Sequence, residues 1–173
     1  NHPVTKKFYE KINKGLDEYR RKLVKICSNF SYYPVPGGIN TKSWREGIQI
    51  LQYEKSQEYK IHHDSALRRD QEQYHRQISV IVYLTEGFIG GGTAFTHTTY
   101  KPKQGYALIF PSNWCFPHSG TEVISGKKRV AVTWYHVDDQ RCIGDNMIEP
   151  FVIQNEKQAE ELALLRNHQQ INK

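Results

Sequence analysis

The chain has 173 residues, 38% hydrophobic and 24% charged, with 24 Lys and Arg against 18 Asp and Glu for a net charge of +6. These values describe a globular domain able to bury one core, and they exclude long disorder, collagen repeats and coiled-coil rods. No apolar run approaches about 18 residues, so neither a membrane-spanning helix nor a membrane partner is expected.

Residues 4–30 read as a helix, because Phe8, Ile12, Leu16, Tyr19, Leu23 and Ile26 recur at helical steps. The prolines and glycines of SYYPVPGG (31–38) end it. Beyond residue 47 the period falls to that of a strand. GIQILQYE places Ile48, Ile50 and Gln52 on one face and Gln49, Leu51 and Tyr53 on the other. EYKIHHD (58–64) reads as a second strand, and polar SALRRDQEQYHR (65–76) as a connector. ISVIVYL (78–84) is apolar on both faces, as a central strand requires. EGFIGGG is a turn, TAFTHTTY (93–100) alternates as one strand, and KPKQG turns again. YALIFP (106–111) and KRVAVTWYHV (128–137) complete the strands, and NEKQAEELALLRNHQQ (155–170) reads as a polar helix. The expected class is mainly β with flanking helices. A single domain over 1–173 would carry a jelly-roll core, a double-stranded β-helix, over about 45–137.

The basic residues are scattered (Lys6, Lys7, Arg20, Arg21, Arg68, Arg69, Lys127, Lys128, Arg129) and form no arm, so a nucleic-acid partner is not expected. Cys27, Cys115 and Cys142 are odd in number and lack CxxC spacing, which argues against a disulfide framework or a cysteine zinc site. With no signal-peptide core visible in NHPVTKKFYEK, they favour a reducing, cytoplasmic compartment. Asn1 stands where an initiator methionine would, as in a piece of a longer chain.

His62-His63-Asp64 is the most informative tripeptide. On a strand, His62 and Asp64 project to one face and His63 to the other. Two ligands from one strand end need a third from elsewhere, and His118, in PSNWCFPHSG, is the candidate. Two histidines and a carboxylate form the facial set of non-haem Fe(II) oxygenases, which leaves positions open on the metal. His63, His75 and His97 read as surface or hydrogen-bonding residues.

Later spacing extends the pattern. Lys128 follows His118 by ten residues, in HSGTEVISGKK, and Trp134 follows six further on. Tyr59-x-x-His62-x-Asp64, then His118, Val123, Gly126, Lys128 and Trp134, with Tyr53 nine residues before His62, resemble the 2-oxoglutarate- and Fe(II)-dependent oxygenases, and within them the prolyl 4-hydroxylase branch. Arg76 opening the strand that ends in Tyr83-Leu84, and the turn Gly90-Gly91-Gly92-Thr93, follow the same order. The short segment from Phe110 to His118 resembles the compact microbial and viral members. Gly92 stands where many relatives carry a glutamate, so any role of that acid is absent here.

The resemblance spans about 45–137 and implies a set of roles. His62, Asp64 and His118 would hold iron and form the catalytic centre. Lys128 and Tyr53 would bind the distal carboxylate of 2-oxoglutarate, in the cofactor pocket that also includes Trp134. Dioxygen would be the co-substrate and ascorbate the reductant. Tyr59, Arg76 and His136 would line the site for a proline-containing peptide or protein, and alternation sets His136 on the face of Lys128 and Trp134. The loop 65–75, with Arg68, Arg69 and His75, is a candidate lid. The alternatives are the same chemistry on another side chain, a free amino acid or a nucleobase, or a jelly-roll binding module without catalysis.

Overall fold

Pro3 opens the helix α1 (Pro3–Ile26), where a missing N–H costs nothing, and the His2 imidazole accepts a bond from Val4 N at 3.3 Å. The structure is a computed structural model that describes residues 2–28 and 43–137. These residues fall into two compact units: one holds α1, Trp44 and His136, and the other is Arg45–Tyr135. The SYYPVPGG breaker and the helix expected over 155–170 lie outside the described residues. Among the described residues no helix is long and apolar enough to cross a membrane.

The buried stripe of α1 is Tyr9, Ile12, Leu16 and Arg20. It is rotated slightly from the expected one, and Ile26, at 80% exposure, takes no part in it. The buried Arg20 guanidinium is neutralised within the helix by Asp17, 2.9 Å away, one turn back.

Eleven strands are described. They are β1 (Ser43–Arg45), β2 (Gln49–Tyr53), β3 (Tyr59–His62), β4 (Arg76–Tyr83), β5 (Ile89–Gly90), β6 (Thr93–Phe95), β7 (Thr98–Tyr100), β8 (Ala107–Pro111), β9 (His118–Gly120), β10 (Val123–Ser125) and β11 (Lys128–Val137). One sheet has the order β1-β11-β4-β8, with β2 also on β11; a second has the order β3-β9-β6-β7; β10 and β5 form a small pair. Together they make the expected jelly roll, with the space between the two larger sheets as its interior. As its apolar sequence requires, β4 is central in its sheet, and Ile78, Ser79 and Val80 are each 1% exposed. Along β11, Lys128, Val130, Val132 and Trp134 share the inner face, and the last three pack with Tyr83. Burying each valine contributes about 1.5–3 kcal/mol.

Three expectations change. The helix expected over 4–30 ends at Ile26, because Cys27 turns extended (φ −148°, ψ 116°) ahead of the proline–glycine segment. Residues 93–100 are not one strand but a hairpin, β6 and β7, with Phe95 paired to Thr98 across a two-residue turn. The alternation of TAFTHTTY continues through that turn, so periodicity alone does not reveal it. EGFIGGG contains β5, whose Gly90 pairs with Val123. Gly90 has φ +78°, and a Cβ there would stand 2.2 Å from the Glu122 carbonyl oxygen. Gly90→Ala is expected to cost on the order of 2–4 kcal/mol, read as a lowered thermal midpoint. A midpoint equal to wild type would refute this.

Candidate functional site

The antiparallel pairing of β3 with β9 sets His62 opposite His118. This brings residues distant in sequence into ring contact, centroids 4.4 Å apart. Asp64, just past the end of β3, completes the cluster: Oδ1 lies 3.4 Å from His62 Nε2, and Oδ2 lies 3.7 Å from His118 Nε2. One donor atom from each of the three falls within 4.8 Å of the others.

The second nitrogen of each ring is fixed by the backbone. His62 Nδ1 donates to the Lys60 carbonyl at 2.8 Å, and His118 Nδ1 to the Phe116 carbonyl at 3.0 Å. Each Nε2 is thereby turned towards the cluster, where its lone pair can serve a metal once the nitrogen is deprotonated. Phe95 and Phe110, with ring centroids 5.6 and 4.8 Å from that of His118, complete its surroundings. Burial pushes the His118 pKa below its usual value, which favours the neutral, ligating form. Burial pulls His62 the same way, but the bond to Asp64 and the Lys60 carbonyl outweigh it and raise its pKa. Burial opposes ionisation of Asp64, yet hydrogen bonds from His62 and Ser79 and the neighbouring His118 hold its pKa at about 2. A carboxylate and two imidazoles whose Nε2 atoms face one another suit a divalent iron ion. Metal uptake competes with the proton on His62, so binding weakens as the pH falls.

Beside the cluster lies a cavity of about 110 Å³ between the two sheets. Tyr53, Tyr59, His62, Asp64, His118, Lys128 and Trp134 all line it, so seven of the nine side chains singled out from the sequence converge on one space. Lys128 is 4% exposed, although its neighbours Lys127 and Arg129 are exposed. Its Nζ stands 5.0 Å over the Tyr53 ring, and no carboxylate pairs with it among the described residues. Burial lowers its pKa to about 8, and burial also raises the Tyr53 pKa to about 12, so its hydroxyl keeps its proton. A buried ammonium beside a phenol is a seat for an anion.

Arg76 and His136 are placed differently. Arg76 lines a wider groove outside the cavity, with Tyr59, His63, Arg68, Gln71 and Gln73. Its guanidinium is clamped by both oxygens of Glu46, at 2.6 and 2.7 Å, and lies 3.6 Å over the Trp134 ring. His136 is 0% exposed, and its ring meets Trp44 edge to face at 4.7 Å. It lines neither space, and a side chain with no exposed surface cannot meet a peptide without rearrangement. Glu46 and the hydroxyls of Ser79 and Ser112 belong to no motif of the sequence. A lone serine inside apolar ISVIVYL was the available signal, because a buried hydroxyl needs a partner.

A jelly roll that sets two histidines and one carboxylate beside a cavity with a buried lysine has the layout of a non-haem iron oxygenase. The chain belongs to the 2OG-Fe(II) oxygenase superfamily, whose family model matches residues 48–136. It is similar to a protein of Acanthamoeba polyphaga mimivirus that carries the name of a prolyl 4-hydroxylase, 34% identical over 107 residues (52% of this chain, 44% of that one). It is also similar to prolyl 4-hydroxylase 5 of Arabidopsis thaliana, 27% identical over 158 residues (74% and 52%). The chain thus spans about half the length of the curated relatives it matches. Among solved structures it resembles the viral collagen prolyl hydroxylase of Paramecium bursaria Chlorella virus-1. The truncated form gives a TM-score of 0.57 at 26% identity, covering 78% of this chain and 69% of that one. The 2-oxoglutarate complex of the same protein gives 0.51 at 26%, covering 70% and 72%.

Proposed function

We propose that this chain hydroxylates peptidyl proline with Fe(II), 2-oxoglutarate and dioxygen, and with ascorbate as reductant. The observation that carries the reading is the convergence of His62, Asp64 and His118 on a cavity that also contains the buried Lys128, which no carboxylate pairs among the described residues. In this reading the three residues hold the iron, and the bound metal supplies the activation of dioxygen for C–H hydroxylation, coupled to decarboxylation of 2-oxoglutarate to succinate.

The remaining work falls to the chain. Lys128 and the protonated Tyr53 hydroxyl bind the distal carboxylate and fix the direction in which 2-oxoglutarate enters. Val130, Val132 and Trp134 give that cavity an apolar wall and keep water from it. Tyr59, with its ring 4.4 Å from that of His62, stands at the mouth. Tyr59 and the outer groove with Arg76 receive the peptide, and the segment 65–75, which contributes Ser65, Leu67 and Gln71 to that groove, acts as its lid. The prolyl 4-hydroxylase names of the relatives and the viral collagen prolyl hydroxylase support proline as the target.

The test is turnover of proline-rich peptides with Fe(II), 2-oxoglutarate and ascorbate. The expected result is a gain of one oxygen atom on proline by mass spectrometry, with stoichiometric succinate. Succinate without modification of any proline peptide would overturn the substrate assignment. No succinate from protein loaded with iron would overturn the enzyme reading.

A further inference from the structure

Ser79 sits in β4 between Ile78 and Val80 and is 1% exposed, as is Ser112 just beyond β8. Ser79 Oγ lies 2.6 Å from Asp64 Oδ2 and 2.8 Å from Ser112 Oγ. A carboxylate only accepts, so the single hydroxyl hydrogen of Ser79 goes to Asp64. Ser79 Oγ must then accept, which makes Ser112 the donor to it. The hydroxyls form a one-way chain, Ser112 to Ser79 to Asp64, in which each bond polarises the next. Ser112 also grips the backbone at the same place. Its carbonyl accepts the amides of Asp64 at 3.1 Å and Ser65 at 2.9 Å, and its own amide donates to the Gln77 carbonyl at 3.0 Å.

We infer that Ser79, backed by Ser112, is a positioning residue that occupies Asp64 Oδ2 and leaves Oδ1 as the single carboxylate oxygen offered to the metal. The inference rests on the reading of His62, Asp64 and His118 as metal ligands. A carboxylate free to rotate could chelate through both oxygens and take a position that a facial set keeps open. The buried hydroxyl chain opposes this alongside the Trp134 side chain, which also bonds Asp64, since turning the carboxylate would break a short bond and strand a buried hydroxyl.

The test is Co(II) binding to the metal-free protein, followed by competition titration and by the visible spectrum of bound Co(II). Ser79→Ala is expected to weaken Co(II) about 10–100-fold, the range for residues that orient ligands, and to alter the spectrum. Ser79→Thr keeps the hydroxyl and is expected to restore both. Ser112→Ala is expected to give a smaller loss, about 3-fold, because it acts through Ser79. The double variant should bind no more weakly than Ser79→Ala alone. A folded Ser79→Ala protein with wild-type affinity and spectrum would overturn the inference, as would independent, additive losses. If Ser79→Ala does not fold, Ser112→Ala decides, since it keeps the carbonyl contacts; unchanged affinity there overturns the inference. His118→Ala separates the two levels. If it leaves Co(II) affinity unchanged, the ligand reading fails and takes the inference with it. If it abolishes binding while Ser79→Ala does not weaken it, the inference alone fails.

Discussion

Replacing His118 by alanine is expected to abolish metal binding and hydroxylation together. In the proposed centre His118 is the ligand that comes from β9, while His62 and Asp64 come from β3 and its end. Two ligands from one strand end cannot hold the metal that three enclose, so the loss of affinity should exceed the roughly 100-fold reached by changes outside the ligand set. The substitution also opens a hole beside Phe95 and Phe110, which costs on the order of 1–3 kcal/mol. Asp64→Asn separates that effect from ligand loss. It keeps the shape of the side chain and removes the charge that neutralises the metal. Both variants should fold, retain little affinity for Co(II) and add no oxygen to proline. Wild-type turnover by either folded variant would refute the assignment of the centre.

The second large effect lies at Lys128, where binding and stability should move in opposite directions. Lys128→Met is expected to weaken 2-oxoglutarate by about 10–100-fold, the equivalent of about 1.5–3 kcal/mol for a lost bond to a charged group. The same change should stabilise the ligand-free protein. The lysine pKa is lowered from 10.5 to about 8 in the fold. Below about pH 8 the ammonium is charged in both states, and its burial counts fully against folding. Between about 8 and 10.5 the unfolded chain binds more protons than the folded one, so stability rises with pH across that window. Lys128→Met should remove this slope and gain up to ~3 kcal/mol at neutral pH. Denaturant unfolding at pH 7 and pH 10 checks the sign, and isothermal titration with 2-oxoglutarate checks the affinity. A variant that binds 2-oxoglutarate as wild type does would show that the anion sits elsewhere. Such a trade is the usual mark of a charge retained for binding rather than for folding.

Much of the core was legible because its strands obey simple patterns. ISVIVYL is apolar on both faces and lies between two neighbours, β11 and β8. The alternation of β11 placed Lys128 on the inner face with Val130, Val132 and Trp134, although Lys127 and Arg129 flank it. The short strands were not legible. HSG and VIS have too few residues for a period, and they become β9 and β10 only through their partners. The proposed peptide wall is the least legible part. Alternation set His136 on the face of Trp134, but its ring is buried against Trp44. Arg76 depends on Glu46, thirty residues away in sequence, and no local pattern reports that pair.

The residue types of the proposed centre are legible in the order of residues alone. HxD, a distal histidine, and a lysine and a tryptophan at fixed spacing along a strand need no coordinates to be recognised, because side-chain period and donor chemistry are local properties. Tertiary structure decided what those residues touch. The pairing of β3 with β9 sets His62 against His118, and the pairing of β4 with β8 sets the Ser112 hydroxyl behind that of Ser79, which bonds Asp64. The facing of the two sheets leaves Lys128 without a carboxylate partner among the described residues. The reason is physical: strand pairing and the burial of polar groups are settled by contacts between distant segments, and their energies have no counterpart in the order of neighbouring residues.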